Sequence, residues 1–111
     1  MDKVVSGTMK VYEKILGLRY IKDTENAPYW HSTVEKFLVY DEETNEFFGS
    51  FYLDLFPRKG KYSHAACFPM DVRFVRTTGE VQYTSSCMIA NFSPPSENQK
   101  SLFLFSEVQL K

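Results

Sequence analysis

The stretch that decides the fold is GSFYLDLFPRKGKYSHAACF, residues 49–68. Its first part alternates strictly, with Phe51 and Leu53 on one side and their neighbours on the other, which is the period of a β-strand. Pro57 lacks an amide hydrogen and ends this strand, and a basic turn follows. A second extended run, residues 62–68, carries small side chains that let another backbone approach closely. The pattern therefore predicts a β-hairpin with one large-residue strand and one small-residue strand.

Upstream of this hairpin, the sequence predicts a helix and a loop. Apolar side chains recur every three or four positions from Val4 to Leu16, which is the period of one helix face. Gly17 suits the left-handed end of such a helix, so we expect a helix over residues 1–17. Residues 22–27 are polar and charged and predict a connecting loop.

A sheet is predicted over about residues 34–92. A strand over residues 34–40 joins the strand at Phe47 through an acidic turn, in which Asn45 suits a positive φ angle. Further extended runs are expected at residues 72–75 and 81–92. The fold class is thus α+β, an amino-terminal helix followed by a small, mainly antiparallel sheet.

The carboxyl end predicts the start of another helix. Ser106 and Gln109 have the spacing of a capping box, which favours a helix over about residues 107–111. So short a piece is far below the roughly 12 residues that an isolated helix needs. This pattern indicates a chain that is part of a longer protein.

Composition limits the classes of partner. The chain has 111 residues, enough for one domain, and 16% of them are aromatic, which suits sheet faces. The formal net charge of −1 gives no field that would attract nucleic acid, and no apolar run approaches the roughly 20 residues of a membrane span. Cys67 and Cys87 lie in apolar strand patterns and are expected to be buried and unpaired, as in a reduced cytoplasmic protein.

Several segments resemble one known family. The segment FYLDLFPRKGKYSHAACF closely resembles a part of the thimet oligopeptidase, neurolysin and saccharolysin family of zinc metallopeptidases. The resemblance continues through VYEKILGLRY (11–20), MIANFSPP (88–95) and SLFLFSEV (101–108), in the order that the family uses. It covers the chain from about Val4 to its end.

The resemblance implies a piece of a larger, mostly helical peptidase catalytic domain, ending just before the helix that carries the H-E-x-x-H motif. It implies zinc as the cofactor of the full-length family, with none bound by this chain and no hydrolysis by this chain alone. The implied partners are short peptide substrates and the rest of the catalytic domain. The implied location is cytoplasmic, or mitochondrial where a targeting segment precedes the chain.

The residues themselves give no catalytic or metal-binding constellation. His31 and His64 are far apart in sequence, and a hydrolytic zinc needs three ligands. Ser63 and His64 are neighbours in an extended run and therefore face apart. Asp54 lies in mid-strand, and we interpret it as a buried or half-buried carboxylate bonded to backbone or to Arg58. The basic turn that contains Arg58 is expected to be solvated.

The candidate functional site in the sequence is a peptide-binding edge of the sheet. Proteases commonly bind an extended peptide as an added strand at a sheet edge, where small side chains allow close approach. We predict this role for five residues of the second strand, namely His64, Ala65, Ala66, Cys67 and Phe68. The alternative is that these small residues serve a core strand packed tightly under a helix.

Three hypotheses of function follow. The chain is part of a zinc oligopeptidase that cleaves short peptides, or a short peptide-binding module derived from that family. The third hypothesis is a non-catalytic partner that docks onto other subunits through aromatic faces. The order of the matching segments favours the first.

Overall fold

A computed structural model describes residues 1–25 and 29–98 of the chain. One helix comes first and strands follow it: α1 Asp2–Leu16, β1 Leu18–Asp23, β2 Glu35–Asp41, β3 Phe47–Asp54, β4 Ala66–Asp71, β5 Phe74–Val75, β6 Val81–Gln82 and β7 Thr84–Ile89. The α+β class, with an amino-terminal helix and a mainly antiparallel sheet, is confirmed. The helix predicted over residues 107–111 lies outside the described residues.

Helix α1 ends where its sequence predicts. Gly17 has a φ of 63° and donates its amide to the carbonyl of Glu13, which is the left-handed helix end that glycine adopts without steric cost. The Glu13 carboxylate then accepts the amide of Tyr20 at 2.9 Å. Because Tyr20 lies in β1, this bond fixes the direction in which the chain leaves the helix.

Strand β1 is an element that the sequence pattern does not predict. It includes Lys22 and Asp23, which belong to the segment expected to form a connecting loop. The strand forms because it pairs in register with β2 along its whole length. Asp23 also forms an ion pair with Lys36 of β2 at 3.3 Å. Tertiary pairing therefore overrides a weak local preference here.

The connection between β2 and β3 confirms the predicted turn. Asn45 has a φ of 58°, the left-handed conformation that asparagine tolerates better than most residues. The Asp41 carboxylate accepts the amide of Thr44 at 2.7 Å and its hydroxyl at 3.0 Å. The two strands are antiparallel, as expected.

The predicted hairpin between β3 and the following strand is wrong. The main sheet has the order β1-β2-β3-β7-β4, so β7 lies between the two strands that were expected to pair. Strand β7 runs parallel to β3 and antiparallel to β4. Its side chains Cys87, Met88 and Ile89 are buried or half-buried, and a central position buries more apolar area than an edge position would. Burial of this later strand thus outweighs the local pairing.

The two faces of the sheet differ. Helix α1 lies over one face, where Met1, Val5 and Met9 pack against the buried cluster of Phe37, Leu53, Leu55, Ala90 and Phe92. A cavity of about 430 Å³ remains between the helix and this face. The opposite face carries Tyr52 and Asp54, because consecutive strand residues point to opposite sides.

Strands β5 and β6 form a separate two-stranded sheet. A turn joins them, with Gly79 at a φ of 88° and its amide donating to the carbonyl of Arg76. Pro69 lies within β4, next to an irregularity in its pairing with β7, which is where an edge strand tolerates proline. Within the described ranges, no helix combines the length and the apolar character needed to cross a membrane.

Candidate functional site

Strand β4 is an edge strand of the main sheet, last in the order β1-β2-β3-β7-β4. Ala66 is half-buried, whereas Cys67 is exposed and Phe68 keeps 42% of its residue surface accessible. His64 and Ala65 come just before the strand and are exposed. Among the described residues, β4 is bonded to β7 along one side, so its other side is an edge. The five predicted residues are thus brought together at a sheet edge, and their role in binding peptide stays a prediction.

The segment between β3 and β4 is organised around a buried carboxylate. Asp54 is 1% exposed, and its two carboxylate oxygens accept a pair of hydrogen bonds from Arg58 at 2.8 and 2.9 Å. The indole N–H of Trp30 donates to Oδ2 at 2.9 Å, and the Lys61 ammonium lies 3.0 Å from Oδ1. The interpretation of Asp54 as a buried carboxylate bonded to Arg58 is confirmed.

The electrostatics of Asp54 follow from these contacts. Burial acts to raise the pKa of the carboxyl, because it penalises the charged form. The hydrogen bonds from Arg58, Trp30 and Lys61 act in the opposite direction and outweigh burial, so the pKa lies well below its ordinary value. The hydrogen bond between Arg58 and Asp54 also raises the pKa of Arg58. Asp54 is therefore an anion at any physiological pH and is unsuited to exchange protons.

Lys61 makes the most extensive set of contacts in this segment. Its side chain is 2% exposed, and its ammonium donates to the carbonyls of Asp54, Phe56 and Ala90 at 2.9, 2.6 and 2.5 Å. The expectation of a solvated basic turn is wrong for Lys61 and for Arg58, whose side chain is 26% exposed. Of the three cations of this turn, Lys59 alone is exposed. The spacing of Asp54 and Arg58 was the one sequence signal of this buried cluster. The burial of Lys61 could not be predicted, because its partners are backbone carbonyls, which leave no pattern in a sequence.

Asn91 contacts the segment that leads into β4. Its side-chain amide donates to the carbonyl of Tyr62 at 3.0 Å and reaches that of His64 at 3.5 Å. The Tyr62 ring lies edge-on to the rings of His64 and Phe68, with centroid distances of 5.8 and 5.7 Å. The residues before the strand are thus held to the chain that follows β7. Sequence reasoning placed Asn91 in a strand and missed this role.

An aromatic group covers the same face of the sheet beside Asp54. The Tyr52 ring packs against the rings of Tyr29 and Trp30 at 5.6 and 5.1 Å, and the Lys36 ammonium lies 5.8 Å from its centroid. Burial acts to lower the pKa of Lys36, but its hydrogen bond to Asp23 and its electrostatic interactions with Tyr52, Asp23 and Tyr29 together raise the pKa. These contacts keep Trp30 in place to donate to Asp54.

The described residues offer no metal centre. Among residues 1–25 and 29–98, no three histidine, cysteine or acidic side chains come close enough to hold an ion. The imidazole Nδ1 of His31 is hydrogen-bonded with the hydroxyl of Thr33 at 2.8 Å, and the His64 ring packs against the Tyr62 ring. The residues that the structure describes therefore do not fit the zinc that the family resemblance implies.

The two cysteines are free and differ in environment. Cys67 opposes Met88 and Cys87 opposes Phe68 in the β4–β7 pairing, so the two thiols lie on opposite faces and are not placed to form a disulfide. Cys87 is buried as expected, and burial raises the pKa of its thiol, with the negative charge of Asp54 acting in the same direction. Cys67 is exposed, which corrects the expectation that both are buried.

Comparison with known proteins gives a consistent picture. The model of the family described as "Peptidase family M3" matches residues 1–110. The thimet-like oligopeptidase of Dictyostelium discoideum is 37% identical over 108 residues, covering 96% of this chain and 16% of the relative. Saccharolysin of Saccharomyces cerevisiae is 31% identical over 113 aligned positions, covering 97% of this chain and 16% of the relative. Oligopeptidase A of Escherichia coli is 33% identical over 107 positions, covering 96% of this chain and 15% of the relative. The chain thus spans about one sixth of the length of the relatives that it matches.

Proposed function

The chain belongs to peptidase family M3, and from this we propose that it is part of a zinc-dependent oligopeptidase that hydrolyses short peptides. The match of almost the whole chain to the family supports the proposal. The relatives named oligopeptidases in an amoeba and in a bacterium support it as well. Within such an enzyme, the chain would supply a sheet beside the substrate channel.

The proposed role of the sheet is to hold the substrate in an extended conformation. A peptide that adds to a sheet edge bonds through its main chain, so its register is fixed without a demand for one side-chain sequence. The observation that carries this role is the position of β4 at the end of the sheet, with His64 and Ala65 exposed in front of it. The small side chains of Ala65 and Ala66 leave room for a second backbone.

We further propose that the zinc ligands of the enzyme lie outside the described residues. A hydrolytic zinc needs three protein ligands, and the described part of this chain does not bring three together. No step of hydrolysis is therefore assigned to a side chain of this sheet. The 111-residue chain by itself is expected to bind peptide without cutting it.

The rest of the peptidase domain is the proposed cover for the outer face of α1. Val11, Ile15 and Leu16 keep 55, 70 and 56% of their residue surface accessible, which is an apolar stripe without a partner among the described residues. The relatives are about six times longer than this chain, so they contain enough further chain to cover it. The proposed location is the cytoplasm, while a relative from Yarrowia lipolytica is named a mitochondrial peptidase.

The alternative function is a peptide-binding module that does not hydrolyse. It uses the same edge of β4, and the lack of a metal cluster among the described residues is compatible with it. The two functions differ in one respect only, namely whether the protein that contains this chain cleaves the peptide that it binds. A peptidase assay therefore separates them.

The test uses a labelled peptide and a substitution that blocks the edge. In the protein that contains this chain, Ala65→Trp introduces a large ring at an exposed position before β4, and Glu43→Trp introduces the same ring in the exposed turn before β3. We expect Ala65→Trp to raise KM for a quenched fluorescent peptide about tenfold, and Glu43→Trp to leave it unchanged. Hydrolysis should stop when zinc is chelated and return when zinc is added. Equal KM values for both variants would exclude β4 as the binding edge, and binding without any cleavage would favour the alternative.

A further inference from the structure

We infer that Lys61 is a positioning residue that fixes where strand β4 begins, and that it thereby sets the register of the edge to which a peptide would pair. The inference rests on the proposed function, because it concerns how the proposed binding edge is held in place. Lys61 itself does not touch a substrate, since its side chain is 2% exposed.

Every donor of the Lys61 ammonium has an acceptor. A protonated lysine has three N–H groups, and four acceptor oxygens surround Nζ, namely three backbone carbonyls within 2.9 Å and Asp54 Oδ1 at 3.0 Å. Two of the carbonyls belong to Asp54, the last residue of β3, and to Phe56, two residues further on, and the third belongs to Ala90, directly after β7. The Lys61 side chain thus links the ends of the parallel strands β3 and β7. It also ties them to the start of the segment that leads into β4.

Neutralisation of Asp54 does not by itself account for Lys61. Arg58 already gives that carboxylate a bidentate pair of charge-assisted hydrogen bonds. A second buried cation leaves the group with an excess of positive charge, and burying a charge is costly unless its hydrogen bonds are satisfied. The three carbonyls satisfy them. Lys61 is therefore placed to organise backbone.

The segment that follows Lys61 is short and is held at more than one point. Four residues, 62–65, separate Lys61 from the first residue of β4. The side-chain amide of Asn91 holds this segment at the carbonyl of Tyr62. Lys61 and Asn91 thus attach it to neighbouring residues after β7. With both attachments made, β4 cannot slip by one residue, a slip that would turn every side chain of the edge to the opposite face.

Hydrogen exchange of the protein that contains this chain, read on peptides from the strands of the main sheet, tests the anchor directly. Lys61→Met keeps most of the side-chain volume and removes the ammonium, and Lys59→Met makes the same change at an exposed position of the same turn. We expect Lys61→Met to speed exchange of the β4 and β7 amides about tenfold or more and to leave the β1 and β2 amides unchanged. Lys59→Met should change neither set. Equal acceleration in both halves of the sheet would show a merely structural role and overturn the inference.

Peptide affinity provides the functional readout. A capped, fluorescein-labelled peptide of alternating valine and lysine serves as the probe for the edge. We expect Lys61→Met to weaken its binding about tenfold relative to Lys59→Met. Lys61→Arg should not restore it, because a planar guanidinium cannot direct its donors at three convergent carbonyls.

Asn91→Ala keeps the inference testable if Lys61→Met does not fold, because Asn91 contacts the same segment from a less buried position. It should produce a smaller change of the same kind, confined to β4 and β7. Wild-type chain that shows no binding to the probe would overturn the proposed edge function, whatever the exchange data show. Wild-type binding that Lys61→Met and Asn91→Ala leave unchanged would overturn the positioning role alone.

Discussion

The two halves of the main sheet are held together by different means. Strands β1, β2 and β3 are neighbours both along the chain and in the sheet, and each pair is antiparallel. Their side-chain links include an exposed ion pair between Lys22 and Glu35 and a largely buried one between Lys36 and Asp23. Strands β3, β7 and β4 are not consecutive, and the first two are parallel. Their ends meet at the buried Asp54, with its two cationic partners.

The difference shows where side-chain chemistry is needed. The turn between β2 and β3 closes a short loop, so this pair needs little support, and an exposed ion pair such as Lys22–Glu35 gives only about 0–1 kcal/mol. A parallel pair joins distant segments, and its strand ends leave carbonyls that a turn does not satisfy. Here the buried ammonium of Lys61 donates to carbonyls at the ends of β3 and β7, those of Asp54, Phe56 and Ala90. Substitutions in the β2–β3 turn should therefore cost less than substitutions at Asp54 or Lys61.

Asp54→Asn is expected to have the largest effect on stability. It leaves Arg58 and Lys61 without the anion that both contact, and removal of one partner from a buried ion pair costs about 3 kcal/mol or more. Urea unfolding of the 111-residue chain, followed by circular dichroism, measures the loss. Asp41→Asn in the exposed turn of the other half is the matched control and should cost much less. Similar losses for both variants would remove the distinction between the two halves.

Gly49→Ala should be the next most disruptive change. A Cβ atom built on Gly49 would lie 2.4 Å from the backbone carbonyl oxygen of Thr84, across the parallel β3–β7 pair. Backbone on a paired strand cannot move aside easily, so we expect a loss of about 1–3 kcal/mol in the free energy of unfolding.

Gly7→Ala is the corresponding control in the helix. A Cβ there meets nothing within 4 Å, and alanine favours a helix interior over glycine by about 0.5–1 kcal/mol. The same substitution should therefore destabilise at one position and stabilise at the other, as measured by the midpoint of thermal unfolding. A neutral Gly49→Ala would indicate that β3 and β7 approach less closely than the structure shows.

The same division explains what could be predicted from the sequence. Helix α1 with its end at Gly17, the turn at Asn45 and the antiparallel β2–β3 pair all follow from neighbouring residues, and these predictions are confirmed. The pairing of β4 with β7 and the burial of Lys61 depend on contacts between distant segments. Periodicity carries no information about such partners. A cationic turn between two strands therefore indicated solvent exposure, whereas the structure buries the Lys61 side chain and half-buries that of Arg58.

Acid should destabilise the chain in a limited pH range. The folded-state pKa of Asp54 is lowered below the ordinary aspartate value of about 3.9, so its contribution is fully present above that pH. The contribution is lost as the pH falls through the folded-state pKa. We expect wild-type stability to decrease below about pH 4, and Asp54→Asn to reduce that slope. The pKa of Asp41 is also lowered, chiefly by the amide of Thr44, and Asp41→Asn serves as the comparison in the other half. An unchanged slope in Asp54→Asn would contradict the assigned ion pairs.

Thiol labelling should give the smallest effect, because it reports on exposure without changing a contact in the core. Cys67 is exposed at the edge, whereas Cys87 lies in the adjacent central strand, where burial raises the pKa of its thiol and lowers the fraction of reactive thiolate. Iodoacetamide should therefore alkylate Cys67 first, with the rates read by mass spectrometry of the two peptides. In Lys61→Met the rate at Cys87 should rise towards that at Cys67, because a β4 that has lost its anchor opens more often from β7. Equal alkylation rates at the two cysteines of the wild type would mean that β4 already opens freely from β7. If the rate at Cys87 also rises in Lys59→Met, the turn as a whole, and not the buried ammonium, holds the edge in place.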